Sequence, residues 1–195
     1  TPEGTLPAAR AKLAEVAALG ATIIYLWPVT VADDDMNPDY WSGRQKACKL
    51  NNPRNPYRTK DYYHVDPEYG TDEDLKAFIR EAHRLGLRVM LDLVYLHCGP
   101  AAVFLKGHPD FVLRNPDGSM RNAAWSFPGL NFSNPALREY LWRNMEMWIR
   151  DYDADGFRCD VSARVPQDFW EEGRRRIEKV KPGVAMFAAA RPSSD

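Results

Sequence analysis

The chain has 195 residues, of which 45% are hydrophobic and 27% charged, and its formal net charge is −1. This composition is typical of a soluble globular protein and excludes a polyelectrolyte, so we expect no nucleic-acid partner. No apolar run approaches the roughly 18 residues that cross a bilayer, so we expect no membrane partner either. The three cysteines have spacings that favour neither a disulfide framework nor a zinc site.

The first part of the chain predicts a helix, a strand and a long loop. Ala8 to Leu19 carries apolar residues at helical spacing and stops at Gly20. Ala21 to Val29 is an apolar strand candidate. Asp33 to Lys60 is rich in Asp, Asn, Pro and aromatic residues, as expected of a loop that builds a binding cleft. Aromatic residues in this loop and just after it are Trp41, Tyr57, Tyr62 and Tyr63, which are candidates for stacking on a ring of a ligand.

The middle of the chain repeats the alternation of helix and strand. Thr71 is a predicted N-cap, and Gly86 ends the helix that it begins. Leu87 to His97 is an almost continuous apolar run, the pattern of a buried parallel strand. Residues 98–130 contain turn signals such as Asn115-Pro116-Asp117-Gly118 and too little periodicity for a separate core. We therefore interpret them as an insertion after that strand.

The last part predicts two helices and two strands. Amphipathic helices are expected at Pro135 to Tyr152 and Phe169 to Val180, and strands at Ala154 to Asp160 and Val184 to Ala190. The basic run Arg174 to Arg176 lies among glutamates, which is typical of a solvated helix face. The whole pattern predicts an α/β fold in one continuous domain, 1–195.

Two residues at the end of one predicted strand suggest chemistry. Arg158 and Asp160 are two apart on a strand, so both side chains can enter the same pocket. The guanidinium should hold the carboxylate ionised by lowering its pKa, which makes Asp160 a candidate nucleophile. An exposed ion pair without function is the alternative for such a pair taken alone.

The preceding strand supplies two further candidates. Asp92 is the carboxylate inside the run from Leu87 to His97, and His97 lies at its carboxyl end. In a parallel α/β barrel, the carboxyl ends of the strands collect the active-site residues. A structural carboxylate and a buried structural histidine are the alternatives if each residue is considered alone.

The order and spacing of these segments resemble the α-amylase family of glycoside hydrolases. The motifs that carry the resemblance are Ala21 to Val29, Pro56 to Thr71, Asp92 to His97, Leu130-Asn131-Phe132-Ser133-Asn134-Pro135 and Gly156-Phe157-Arg158-Cys159-Asp160. Each is weak alone, but their ordered combination is specific. The resemblance implies a partial (β/α)8 barrel, with the second to fifth strands and their helices.

The resemblance also implies roles for individual residues. Asp160 matches the nucleophile and Arg158 the arginine that orients it. Asp92 and His97 match sugar-binding residues of the first subsite, and Tyr57 matches its aromatic platform. The implied reaction is hydrolysis or transfer of α-glucosidic bonds with retention, for which two carboxyl groups are required. An α-glucan or oligosaccharide is the implied partner, and no cofactor is implied.

The chain departs from the family pattern in several places. Ala189 stands where the family has its general-acid glutamate, so we expect impaired hydrolysis of ordinary glycosides. Leu96 replaces an asparagine that binds calcium in many members, and an apolar side chain cannot ligate a hard cation, so no metal is expected. The later barrel strands have no counterpart, and open sheet edges favour pairing with another chain or a longer parent protein.

Two other functions are compatible with the sequence. A sugar-binding module without catalysis would keep the pocket and tolerate Ala189. An excised folding unit would explain the missing strands. The sequence does not decide linkage preference, hydrolysis against transfer, or a cytoplasmic against a secreted location.

Overall fold

The structure is a computed structural model that describes residues 4–49 and 55–189. Its helices are α1 to α6, and its strands are β1 to β8. The helices span Leu6–Arg10, Leu13–Ala18, Gly43–Cys48, Asp72–Arg84, Pro135–Arg150 and Gln167–Val180. The strands span Ile23–Leu26, Thr30–Ala32, Thr59–Val65, Arg88–Leu93, Asn122–Ala124, Phe127–Pro128, Gly156–Cys159 and Ala185–Ala188. None of the helices in these residues is both long and apolar enough to cross a bilayer.

Four strands form one parallel sheet in the order β1-β4-β7-β8. These are the four strands that the sequence predicts, in chain order, so the α/β expectation is confirmed. Strand β4 is buried along nearly its whole length, and β1 and β7 pair with its two edges. Strands β1 and β8 lie at the outer edges and leave Ile23 and Phe187 exposed. Ala190, the last residue of the fourth predicted strand, lies outside the described residues.

The helices are placed by their caps and buried faces. At α4, Thr71 and Asp74 form a reciprocal capping box, and Gly86 follows the helix with a φ of +76°. The buried residues of α4 recur at helical spacing and form one face of the helix. Its members are Leu75, Phe78, Ile79 and Ala82. Helix α5 starts at a cap from Asn134 and packs against α6.

Three local expectations differ from the structure. The predicted helix from Ala8 to Leu19 is two short helices, Leu6–Arg10 and Leu13–Ala18, with Leu6 and Leu13 as their buried residues. Strands β2 and β3 flank the predicted loop from Asp33 to Lys60 and form an antiparallel pair that the sequence did not predict. Residues 50–54 of that loop lie outside the described residues. The insertion contains the hairpin β5–β6, and its buried aromatic residues join the main core.

Glycine is required where β7 and β8 meet. A Cβ at Gly156 would lie 2.7 Å from the carbonyl oxygen of Ala185. Real Cβ atoms do not approach a backbone oxygen so closely, so a side chain at Gly156 would push β8 away. The close contact keeps the last strand in register beside the predicted nucleophile strand.

A partly buried carboxylate ties the amino-terminal ends of β4 and β7 together. The Asp155 carboxylate accepts hydrogen bonds from the Val89 amide at 2.7 Å and the Lys181 ammonium at 2.8 Å, and it contacts His83 Nε2 at 2.7 Å. Burial opposes ionisation of Asp155, but Lys181, the Val89 amide and His83 together lower its pKa. Helix α4, two strands and the α6–β8 loop therefore meet at one side chain.

We expect Asp155→Asn to lower the free energy of unfolding by roughly 1–3 kcal/mol at pH 7, because the neutral amide loses the charge that Lys181 faces. The pKa of Asp155 is lowered by folding, so this contribution is present above its unfolded pKa and disappears as pH falls through the folded pKa. Urea unfolding at pH 7 and pH 3 checks both statements. Asp153→Asn is the matched control, since Asp153 is mostly exposed and also contacts Lys181. An equal loss for the two variants would contradict the prediction.

Candidate active site

One arginine joins two carboxylates at the carboxyl ends of β4 and β7. Asp92 lies directly opposite Arg158 in the parallel register, so both side chains point to the same face of the sheet. Arg158 Nη1 donates to Asp92 Oδ1 at 3.0 Å and Oδ2 at 2.8 Å, and to Asp160 Oδ1 at 2.7 Å. The structure thus brings together the three charged residues that the sequence singles out.

Asp92 forms the closed base of this group. Its side chain has 0% exposure, and both of its oxygens accept hydrogen bonds from Arg158. Tyr25 and Tyr57 also donate their hydroxyls to Oδ2 of Asp92, the latter at 3.1 Å. The buried Asp92 carboxylate is therefore placed to hold Arg158, Tyr25 and Tyr57 in position. Asp92 does not line the cleft beside Asp160, and its direct contact with a sugar stays a prediction.

Asp160 is the more accessible carboxylate of the pair. Burial raises its pKa above the ordinary value, the positive charge of Arg158 opposes this rise, and the negative charge of Asp92 adds to it. The sequence suggested that the arginine would lower this pKa. That reasoning was incomplete because it left out burial, which here exceeds the attraction of a guanidinium already shared with Asp92.

His97 is buried and neutral. Its Nε2 lies 2.9 Å from the carbonyl oxygen of Tyr57, so this nitrogen carries the proton and donates it. Nδ1 is then unprotonated and can only accept a hydrogen bond, and it has no hydrogen-bond partner among the described residues. Burial lowers the pKa of His97 to about 4.

A buried polar chain runs from helix α5 to His97. Asn144 Oδ1 accepts from the Tyr95 hydroxyl at 2.6 Å, and Asn144 Nδ2 donates to the Tyr62 carbonyl at 2.6 Å. The Tyr62 hydroxyl donates in turn to the His97 carbonyl at 2.9 Å. Tyr62 is therefore fully buried and cannot offer its ring to a sugar, contrary to the expectation from sequence.

The other predicted stacking residues divide between packing and the cleft. Tyr63 donates its hydroxyl to the Tyr140 carbonyl at 2.7 Å and packs its ring on Tyr140. Trp41 has a buried indole nitrogen and does not line the cleft beside Asp160. Tyr57 does line it, and the guanidinium carbon of Arg158 lies 6.0 Å from the centre of its ring.

The cleft beside Asp160 has a volume of about 520 Å³. Its walls combine aromatic rings with a few polar groups, which is the usual composition of a small-molecule site. The lining residues are Ser42, Gln45, Asn55, Tyr57, His97, Trp125, Phe127 and Asp160. Among these described residues Asp160 is the one carboxylate.

Ala189 occupies the position next to Asp160 on the neighbouring strand. Its amide donates to the Cys159 carbonyl at 3.0 Å and continues the β7–β8 ladder by one step beyond the pair Cys159–Ala188. In a parallel ladder this register places residue 189 beside residue 160 on the same face. A methyl group there can neither donate nor accept a proton.

Sequence reasoning missed Tyr25 and Trp125. Tyr25 lies on β1 beside Met90 in register and reaches Asp92 across the sheet. A sequence signal existed, since Tyr25 and Trp27 are aromatic residues two apart on an otherwise aliphatic strand. Trp125 lies in the insertion, where no periodicity indicated which residues face the cleft.

No metal or reactive thiol emerges from the described residues. In 4–49 and 55–189, no group of three or more His, Cys, Asp or Glu side chains is arranged to hold a metal ion. The buried Cys98 and Cys159 are not joined in a disulfide. Burial raises the pKa of Cys159 to about 12 and also raises that of Cys98, so both thiols are protonated at neutral pH.

Comparison with known proteins decides the family. The family model described as "Alpha amylase, catalytic domain" matches residues 2–111. The chain belongs to the alpha-amylase family. A cyclomaltodextrinase of Geobacillus thermopakistaniensis is 30% identical, with 88% of this chain and 29% of that protein covered. A malto-oligosyltrehalose trehalohydrolase of Deinococcus radiodurans is 34% identical, with 86% and 24% covered.

Solved structures of the alpha-amylase family confirm the partial barrel. An alpha-amylase from Lactobacillus plantarum superposes with a TM-score of 0.82 at 32% identity, with 94% of this chain and 41% of that chain covered. A maltogenic alpha-amylase from Thermotoga neapolitana gives 0.82 at 29% identity, with 94% and 41% covered. The chain thus spans 24–29% of the length of the two curated relatives named above.

We expect His97 to stay neutral down to about pH 4, because protonation would place an unpaired charge in a buried site. An NMR titration of the imidazole resonances measures this directly. His64 is the internal control: its hydrogen bond to Asp72 raises its pKa above the ordinary value, so it should titrate before His97 as pH falls. A His97 resonance that titrates above pH 6 would contradict the buried geometry.

The lowered pKa of His97 also makes the stability of the fold depend on pH. Between pH 6.5 and 4 the unfolded chain protonates His97 and the folded chain does not, so stability falls as pH falls, by roughly 3 kcal/mol in all. His97→Gln should remove this part of the pH dependence.

Proposed function

We propose that this chain carries the nucleophile side of an active site that cleaves α-glucosidic bonds with retention. Asp160 is the nucleophile and Arg158 orients it. Asp92 holds Arg158 and Tyr57 in place, while Tyr57 and His97 line the first sugar subsite. The observation that carries the proposal is the ion-pair group of Arg158, Asp92 and Asp160 at the edge of a cleft with aromatic walls.

The chemistry of nucleophilic attack fits these residues. Arg158 bonds Oδ1 of Asp160, so one carboxylate oxygen is fixed and the other has no bond to this arginine. In the first step that oxygen attacks the anomeric carbon, the bond to the leaving oxygen breaks, and a covalent glycosyl ester forms. The raised pKa of Asp160 makes its carboxylate a stronger base than that of an ordinary aspartate.

The second carboxyl group of the reaction is missing from the expected place. A retaining glycosidase protonates the leaving oxygen with an acid roughly 5 Å from the nucleophile. Ala189 lies beside Asp160 and supplies no proton. General acid catalysis contributes roughly 100- to 10,000-fold, so we expect slow or undetectable cleavage of ordinary glycosides.

The names of the relatives support an α-glucan as substrate class. Proteins similar to this chain are named cyclomaltodextrinase, maltogenic alpha-amylase and malto-oligosyltrehalose trehalohydrolase. We therefore propose an α-glucan or maltooligosaccharide as the ligand of the cleft.

A substrate that needs no acid tests the nucleophile. We expect 5-fluoro-α-glucosyl fluoride to add one fluoroglucosyl unit to the chain, because fluoride leaves without a proton while the ester forms on Asp160. Intact-mass analysis detects the adduct, and peptide mapping should place it on Asp160. The rate should fall at acidic pH with a midpoint above 3.8, the ordinary pKa of aspartate, because protonated Asp160 cannot attack.

Asp160→Asn is the matched control, since it keeps the size of the side chain and removes the nucleophile. A folded parent chain that forms no adduct, or an adduct at another residue, would refute the proposed role of Asp160. Circular dichroism of both proteins establishes that they are folded.

Restoring the acid tests the explanation for impaired activity. We expect Ala189→Glu to raise the rate of maltotriose cleavage by roughly 100- to 10,000-fold, while the reaction with glucosyl fluoride changes much less. Ala188→Glu is the control, because residue 188 points to the opposite face of β8. Equal effects of the two substitutions would show that the position beside Asp160 has no special role.

A sugar-binding module without catalysis is the second candidate, and Ala189 is the observation that favours it. In that case maltotriose binds, no adduct forms, and Ala189→Glu restores no cleavage. The two functions therefore differ in the outcome of the same experiments.

A further inference from the structure

The tip of the β5–β6 hairpin has an unusual composition for its backbone shape. Ala124 pairs with Phe127, so Trp125 and Ser126 form a two-residue turn. Both have positive φ, +53° and +66°. Two-residue turns with positive φ at both positions strongly favour Asn-Gly and similar pairs, because a Cβ is strained in this region. A tryptophan is an unusual residue at such a position.

The Trp125 ring is displayed on the wall of the cleft. It is 56% exposed, a large apolar surface for a residue of this size. Its ring centre lies 5.8 Å from that of His97, and it lines the same cavity as Asp160 and Tyr57. Exposed aromatic rings in a cleft are common contacts for ligands that have both apolar faces and polar edges.

The base of the hairpin fixes the direction of the tip. Phe127 follows the turn, is buried, and packs its ring 5.0 Å from His97. The Gly129 segment bridges to His97 and so joins the hairpin to the end of β4. The turn therefore cannot swing freely, and Trp125 is held beside the first subsite.

We propose that Trp125 is a specificity-determining residue that stacks on a glucosyl ring of an α-glucan, next to the ring held at Asp160. The proposal rests on the function proposed above and extends it to a second sugar unit. Tyr57 lies beside Arg158 and serves the first ring, whereas Trp125 lies beside His97. The strained turn presents the indole so that little freedom is lost when the sugar binds.

Fluorine NMR of the chain labelled with 5-fluorotryptophan tests the contact itself. The sequence has six tryptophans, and Trp125→Phe assigns the line of Trp125. We expect maltotriose to shift or broaden that line and to leave the line of Trp148 unchanged, since Trp148 is buried in the core. If maltotriose shifts the resonances of other tryptophans but leaves the Trp125 resonance unchanged, the proposal is overturned.

Calorimetric titration with maltotriose tests the energetic role. We expect Trp125→Ala to weaken binding at least 10-fold and Trp125→Phe to weaken it less. Ser126→Gly should weaken it by an intermediate factor, because glycine relieves the strain and loosens the tip. Val103→Ala is the control, as Val103 is an exposed apolar residue of the same insertion that does not line the cleft.

The outcomes separate this proposal from the proposed function. An adduct on Asp160 together with unchanged maltotriose affinity in Trp125→Ala refutes the role of Trp125 alone. No adduct and no effect of maltotriose on any tryptophan line refutes both. Trp125→Ala that melts at a lower temperature while binding maltotriose normally would identify Trp125 as a packing residue instead.

Discussion

The shared guanidinium of Arg158 is the interaction on which the site depends. Two carboxylates near each other and out of water would repel, and each would tend to become protonated. The positive charge of Arg158 between them offsets this repulsion. The register of β4 and β7 sets the distances from Arg158 to the two carboxylates. The consequence is asymmetric: Asp92 is fully enclosed by donors, while Asp160 keeps access to the cleft.

The two ends of these strands are held by different means. At the carboxyl end, an arginine spans from β7 to a carboxylate on β4. At the amino end, the carboxylate of Asp155 spans from β7 to the backbone of β4 and to Lys181. Between them the strand interiors are apolar and buried. The central strand pair is thus fastened by polar contacts at both ends, which restricts sliding of one strand along the other.

Sequence reasoning recovered the parts of the fold that depend on local pattern. The four parallel strands, the capped helix after Thr71 and the pairing of Arg158 with Asp160 follow from periodicity, caps and the spacing of two residues on a strand. It did not recover features that depend on distant partners. Tyr25 reaches Asp92 across 67 positions, and the burial that raises the pKa of Asp160 arises from the whole fold. The turn at Trp125 contradicts the usual residue preferences, so preference alone could not indicate it.

The chain of hydrogen bonds from α5 to His97 has a direction. Asn144 must accept from the Tyr95 hydroxyl with its oxygen and donate to the Tyr62 carbonyl with its nitrogen, which fixes the orientation of the amide. An aspartate at this position would set a carboxylate oxygen against a carbonyl oxygen, although its shape is nearly the same. The outer helix layer and the cleft are therefore linked through a buried amide that tolerates neither rotation nor loss of its donor.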